Sequence, residues 1–325
     1  MGNKLHKFVL PNLEKILLKA AFKGWHRVAK VLLKLKGVNV NCVNEYGRTP
    51  LFIAAMEGHD KVVSLLLARE EIQVNQGDCT GDTPLDWAIY LGYHNVVKML
   101  LRKKELQVNE VNESGETPLL VAIRRGDEEM TYLLLERGDI QVNLADQRGW
   151  TPLHYASFKE YHNIVNALLR NDEIDVNLAN EYDETPLDWA ALLGYDKVVK
   201  LLLGNESIQV NRADGHGRTP LREAAKYGHS QVVEMLLERG DILVNKADPS
   251  GATPLFKAAE KGREKVVNML LKKPGIEVNR ADNTGSTPIS VAADNRHGGV
   301  VNLLLGTEEI RQVGWDGWRP NANPA

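Results

Sequence analysis

Asp146, His154 and Ser157 fall within the thirteen-residue stretch "DQRGWTPLHYASF". Their types are those of nucleophilic catalysis, with a histidine as general base, a serine as nucleophile and an aspartate to orient the imidazole. A second candidate is the pair Asp86 and Asp188, each within a "TPLDWA" word, which could supply an acid and a base to one bond. Other chemistry is sparse. The chain shows no glycine loop of the phosphate-cradling kind and no spaced metal-ligand cluster, so no cofactor and no metal are expected.

Both candidates must be weighed against the elements that carry them. The word Thr-Pro followed by Leu or Ile recurs at Thr49, Thr83, Thr117, Thr151, Thr185, Thr219, Thr253 and Thr287, always 34 residues apart. A further, degenerate copy, the first of nine, begins at position 15, with Lys15 and Ile16 in place of Thr-Pro. In each copy the threonine hydroxyl is placed to cap a helix whose first residue is proline. Apolar residues at helical spacing follow, as in Leu51, Ala54 and Ala55, and then a glycine such as Gly58 ends the helix. A second helix carries the stripe Val62, Val63, Leu66 and Leu67, and an Asn-, Gly- and Asp-rich segment leads to the next threonine. One helix pair of this length cannot bury its stripe alone, so the copies must stack.

In this register the residue types of catalysis disperse. The column of His154 reads Phe52, Asp86, Leu120, His154, Asp188, Arg222, Phe256 and Ser290, which is no catalytic series. Asp86 and Asp188 stand three copies apart, about 30 Å at roughly 10 Å per copy, whereas glycosidase pairs lie within about 5–9.5 Å. Trp87 and Trp189 read as partly buried packing residues of the first helix. "RGD" occurs at 125–127, 137–139 and 239–241, each time at a helix end where the repeat itself asks for glycine. The start "MGNKLH" has His6 where a myristoylation signal wants Ser or Thr.

The words "DQRGWTPLHYA", "GHDKVVSLLL" and "GDIQVNLAD" resemble those of the ankyrin repeat, over about residues 12–310. The family's period is one residue shorter, and the extra residue falls between the second helix and "VN". The resemblance implies an all-α fold, an ankyrin-repeat solenoid of stacked antiparallel helix pairs with turn or hairpin tips. It also implies that His154 ties its threonine to a neighbouring turn, and that the chain is no enzyme. The expected organisation is an N-terminal capping segment at 1–14, repeats at 15–310, and a tail or cap at 311–325 in which Trp315 and Trp318 could form a lid. Phe8, Val9 and Leu10 are expected to precede the first helix.

The family's interaction residues resemble tip positions around the glycine and positions near the end of the first helix. In this chain those positions hold Tyr46, Arg48, Met56, Tyr90, Leu91, Arg124, Arg125, Arg148, Trp150, Phe158, Tyr182, Leu192, His216 and Tyr227, in copies two to seven. Aromatic and arginine side chains are the types enriched at binding hot spots. Two departures from the repeat fall in the same region, Glu160 for the inter-helix glycine and Asp183 for the tip glycine. The expected function is a non-catalytic scaffold holding a protein or peptide in a concave groove, or the recognition segment of a larger receptor or enzyme.

Composition sets the remaining expectations. Of 325 residues 43% are hydrophobic and 26% charged, with a formal net charge of −3, which offers no general hold on nucleic acid or anionic lipid. No apolar run approaches the roughly 20 residues of a membrane span. Cys42 and Cys79 are the only cysteines, too few for a disulfide framework, so a cytoplasmic or nuclear monomer is expected.

Overall fold

The computed structural model describes residues 2–112 and 114–313, with side chains for 12–112 and 114–310. All regular secondary structure among the described residues is helical. The chain divides into two compact units, Met1–Pro152 and Leu153–Ala325.

In the first unit a long helix, Gly2–Lys23, pairs with His26–Leu32. The pairs Pro50–Met56 with Asp60–Leu67, Pro84–Tyr90 with His94–Leu100, and Pro118–Arg125 with Glu128–Leu135 follow. First helices pack on first helices and second helices on second helices along this series. The opening helix differs from expectation: it already contains positions 8–10, because the Thr-Pro word that fixes the helix start in later copies is missing.

The second unit begins within the helix Pro152–Phe158, which is followed by His162–Leu168. It continues with Pro186–Leu193 and Asp196–Leu203, Pro220–Tyr227 and Ser230–Leu237, Pro254–Glu260 and Glu264–Leu271, and Pro288–Asp294 and Gly298–Leu305. A further helix, Glu308–Val313, follows the ninth copy, and Ile310 on it is buried. Trp315 and Trp318 lie outside the described residues.

The repeat word explains each start. Thr49 Oγ1 accepts from Phe52 N–H at 3.1 Å and Thr253 Oγ1 from Phe256 N–H at 3.1 Å, satisfying one of the N–H groups a helix leaves open. Apolar residues from both helices make the core: in the second copy Leu51, Ala54, Ala55, Val62, Val63 and Leu66 are fully buried. At roughly 25 cal/mol per Å² of apolar area, this stripe repaid in every copy is what opposes the chain entropy.

The segment carrying the extra residue is held by the asparagine of "VN". Asn75 donates through Nδ2 to the Glu105 carbonyl at 2.7 Å and accepts Gln107 N–H on Oδ1 at 2.9 Å. Asn211 does the same with the Asp241 carbonyl at 2.6 Å and Leu243 N–H at 2.8 Å. Each such amide therefore ties one copy to the backbone of the next. The valine before it is buried, as at Val74 and Val210.

Candidate interaction surface

The residues that suggested catalysis are all engaged in construction. His154 is fully buried, and its Nε2 lies 2.9 Å from the Glu184 carbonyl, in the tip of the next copy. Ser157 is also fully buried, and its Oγ has no hydrogen-bond partner, so it faces no substrate. Asp146 accepts Arg148 N–H and Trp150 N–H on Oδ1, both at 2.9 Å, which closes the tip turn. Asp86 and Asp188 form capping boxes. Asp188 Oδ2 accepts Thr185 N–H and Thr185 Oγ1–H, both at 2.7 Å, while its own N–H donates back to Thr185 Oγ1 at 3.3 Å. Burial pushes the Asp188 carboxyl up to about 7, and the negative charges of Asp214 and Glu184 add to the effect. Burial also raises Asp86, with Asp82 and Glu110 contributing.

Neither cysteine is in a disulfide. Burial, with Glu14 beside it, pushes the Cys42 thiol up to about 12, which leaves it a packing residue and no nucleophile.

The tip and helix-end residues singled out by their columns reach the surface in both units. In the first unit Tyr46 and Tyr90 are 52% and 53% exposed, and Leu91, Arg124, Arg125 and Arg148 are exposed as well. Met56 and Trp150 are half-buried. Arg48 gathers several groups: its guanidinium lies 5.5 Å from the Tyr46 ring centre, 5.3 Å from Phe52 and 5.7 Å from Trp87. Its Nε donates to Asp78 Oδ2 at 3.0 Å. Trp87 in turn packs edge-on against Tyr90 with ring centres 5.9 Å apart, and Arg125 sits 5.1 Å from the Tyr90 ring. Cation and ring attract through the ring's quadrupole, so this group is ordered although much of it faces solvent.

Beside it a cleft of about 320 Å³ opens between the third and fourth copies. Trp87, Tyr90 and Val121 form its apolar wall, and Asp82, Glu116 and Arg124 its polar rim. Arg124 pairs with the buried Glu116 at 2.8 Å.

In the second unit Tyr182 and Tyr227 are 56% and 44% exposed, His216 is exposed, and Phe158 and Leu192 are half-buried. Phe158 meets Trp189 edge-on at 5.1 Å, and Tyr227 stacks on His229 at 6.2 Å. His216 is placed by its own tip turn, its N–H donating to Asp214 Oδ1 at 2.9 Å. A cleft of about 20 Å³ lies between the sixth and seventh copies, against Trp189 and Leu192.

Trp87 and Trp189 are the partly buried residues of the first helix that the sequence leads one to expect. Both are half-buried, and each walls the cleft of its unit at the same place in the repeat. Their column holds Ile53, Val121, Tyr155, Glu223, Lys257 and Val291 in the other copies. That mixture of apolar and charged types is the signal that the position is only part buried.

The departures from glycine are real backbone features. Glu160 and Asp183 adopt φ of 60° and 59°, and Arg296 in the ninth copy, at the inter-helix glycine position, has φ 60°. Arg296 is thus a third departure from glycine, beyond the two in copies five and six.

Helix pairs repeated every 34 residues, most of them begun by Thr-Pro, define a helical repeat protein. The family model described as ankyrin repeats (3 copies) matches residues 17–112, 104–180, 175–246 and 241–313, and the chain belongs to the ankyrin-repeat family. Among solved structures it is similar to the crystal structure of EF0377, an ankyrin repeat protein, at 26% identity and a TM-score of 0.56, over 61% of this chain and 100% of that one. No curated protein matches the chain. Ankyrin repeats are in general protein–protein interaction modules and typically non-catalytic. No described helix is long and apolar enough to cross a membrane.

Proposed function

We propose that the chain is a non-catalytic scaffold that holds a protein or peptide on the tip and helix-end residues of copies two to seven. The observation that carries this reading is the exposure of Tyr46, Tyr90, Tyr182 and Tyr227, between 44% and 56%, at positions the repeat does not need for folding. The ordering of Tyr46 and Tyr90 around arginines supports it further, because rings held in place lose less freedom on binding. Arg48, Met56, Leu91, Arg124, Arg125, Arg148 and Trp150 belong to the same surface in the first unit, and Phe158, Leu192 and His216 in the second. Two free cysteines support a reducing cytoplasmic or nuclear setting.

The test is capture of partners by the intact chain and by one carrying Tyr90→Ala, Trp150→Ala and Tyr182→Ala. The variant is expected to lose at least about tenfold in affinity, the usual cost of removing hot-spot aromatics. Equal affinity of the two chains for the same partner would refute the reading.

A further inference from the structure

The cleft against Trp189 has a property that the general binding role does not require. It is acidic beyond what its own cations balance. Glu184, Asp188, Asp214 and Glu223 line it together with a single cation, Arg218. Arg218 is already committed: its Nη2 lies 2.6 Å from Asp214 Oδ2 and 3.5 Å from Glu184 Oε1. The nearby Arg222 is fully used as well, bonded to Glu223 Oε1 and, at 2.6 Å, to Asp248 Oδ2. With Asp248 included, the carboxylates still outnumber the guanidiniums of Arg218 and Arg222. Asp188 registers the excess, since Asp214 and Glu184 both disfavour its ionised form.

A second, independent observation comes from Glu223. The residue is only 5% exposed, it lines the cleft, and its Oε2 is buried with no hydrogen-bond donor. An unpaired carboxylate oxygen in such a place carries a large desolvation cost, and a donor entering the cleft would remove it.

The shape and the walls narrow the choice of donor. About 20 Å³ is room for one water-sized group, which an ammonium matches and a planar guanidinium exceeds. Trp189 and Leu192 line the cleft and supply an indole and an aliphatic side chain beside which a tetramethylene stem can lie. No group of His, Cys, Asp and Glu among the described residues has the arrangement to hold a metal ion. We propose that this cleft is a socket for the ammonium of a lysine in the protein partner, with Glu184 and Glu223 as acceptors and Trp189 against the stem. The inference rests on the protein-binding reading above and adds to it the chemistry of one contact.

The equivalent cleft of the first unit repeats the plan with Asp82, Asp86 and Trp87, but it is wider and has Glu116 neutralised by Arg124. Val121 stands there at the place of Glu223, so that cleft has no buried unpaired carboxylate oxygen and serves as an internal control.

The experiment uses the full chain labelled with ¹⁵N and titrates it with the methylamides of acetyl-lysine, acetyl-arginine and acetyl-norleucine. Saturable shifts are expected at the amides of Glu184, Asp188 and Glu223 with the lysine compound. Arginine and norleucine compounds are expected to bind at least about tenfold more weakly, since each lacks either the fit or the charge. Glu184→Gln, at a half-exposed position, and Glu223→Gln should each weaken the lysine compound about tenfold, with shifts elsewhere in the spectrum unchanged. Equal shifts with norleucine, or unchanged lysine affinity in Glu184→Gln, would overturn the socket. If the lysine compound binds as described while the Tyr90, Trp150 and Tyr182 variant keeps full partner affinity, the partner surface fails and the socket stands. If the compound does not bind and that variant loses its partner, only the socket fails.

Discussion

Asp188 is a residue whose cost and use are both visible. Its carboxyl sits at about 7 in the folded chain against an ordinary value of 3.8, so between those values the folded state holds a proton that the unfolded state has released. Stability from this group is therefore present in acid and is lost as the pH rises from about 4 to about 7. Asp188→Asn keeps an amide oxygen to accept from Thr185 and carries no charge. We expect the urea midpoint of the wild-type chain to fall, relative to that of Asp188→Asn, between pH 5 and pH 8. Parallel midpoints across that range would show that the carboxyl titrates normally. At this scale the sequence said more about what His154 and Ser157 do not do than about what Asp188 does. The column of His154 ruled out a triad because its other members are unfit for one. The shift at Asp188 comes from its burial first and then from the charges of Asp214 and Glu184; Asp214 lies in the tip of the next copy, and no spacing within one copy reveals that.

At the scale of the element, the bend between paired helices is where two copies of the same word differ in what surrounds them. Gly92 and Gly194 occupy the same place with nearly the same backbone, φ 73° and 75°. They differ in what the next copy brings near. A Cβ on Gly194 would stand 2.3 Å from His229 Nδ1, whose ring is held by Nε2 at 2.9 Å from the Leu192 carbonyl, whereas a Cβ on Gly92 would meet only Asp127 Oδ2 at 4.0 Å. Both alanine variants pay the left-handed backbone cost of roughly 1–2 kcal/mol. Gly194→Ala must also displace an anchored imidazole, so it is expected to lower stability by about 1–3 kcal/mol more than Gly92→Ala, the range of an overpacked site, as measured by denaturant unfolding. Equal losses would mean that the ring gives way freely. Glu160 and Arg296 hold the same left-handed backbone at this bend, with φ of 60° each, and so carry the cost that glycine avoids.

Helix starts, bends and the buried stripe were legible because each depends on residues within one copy: Thr-Pro, glycine, and apolar spacing. The start of the first helix, Gly2–Lys23, is not legible for the same reason, since it has no such word. The role of Asn75 and Asn211 as ties was hidden, because each reaches a backbone carbonyl 30 residues further on.

For the whole molecule, the unbroken 34-residue phase gives no hint that the chain divides into two compact units within the helix Pro152–Phe158. The division does not follow any composition shift, and the repeat word is intact across it. What the phase does convey is which residues are free to vary, and these include the exposed tyrosines and the arginines around them. We expect partners to meet those columns rather than the second helices or the loops after them. Tyr132, on the helix Glu128–Leu135, and Leu243 are 39% and 55% exposed, so they serve as comparably accessible controls. The direct measurement places the photoreactive residue benzoylphenylalanine singly at Tyr90, Tyr182, Tyr132 and Leu243 and follows crosslinking to one captured partner. Crosslinks from Tyr90 and Tyr182, and none from Tyr132 and Leu243, are the predicted result; crosslinks from Tyr132 or Leu243 with none from Tyr90 and Tyr182 would contradict it.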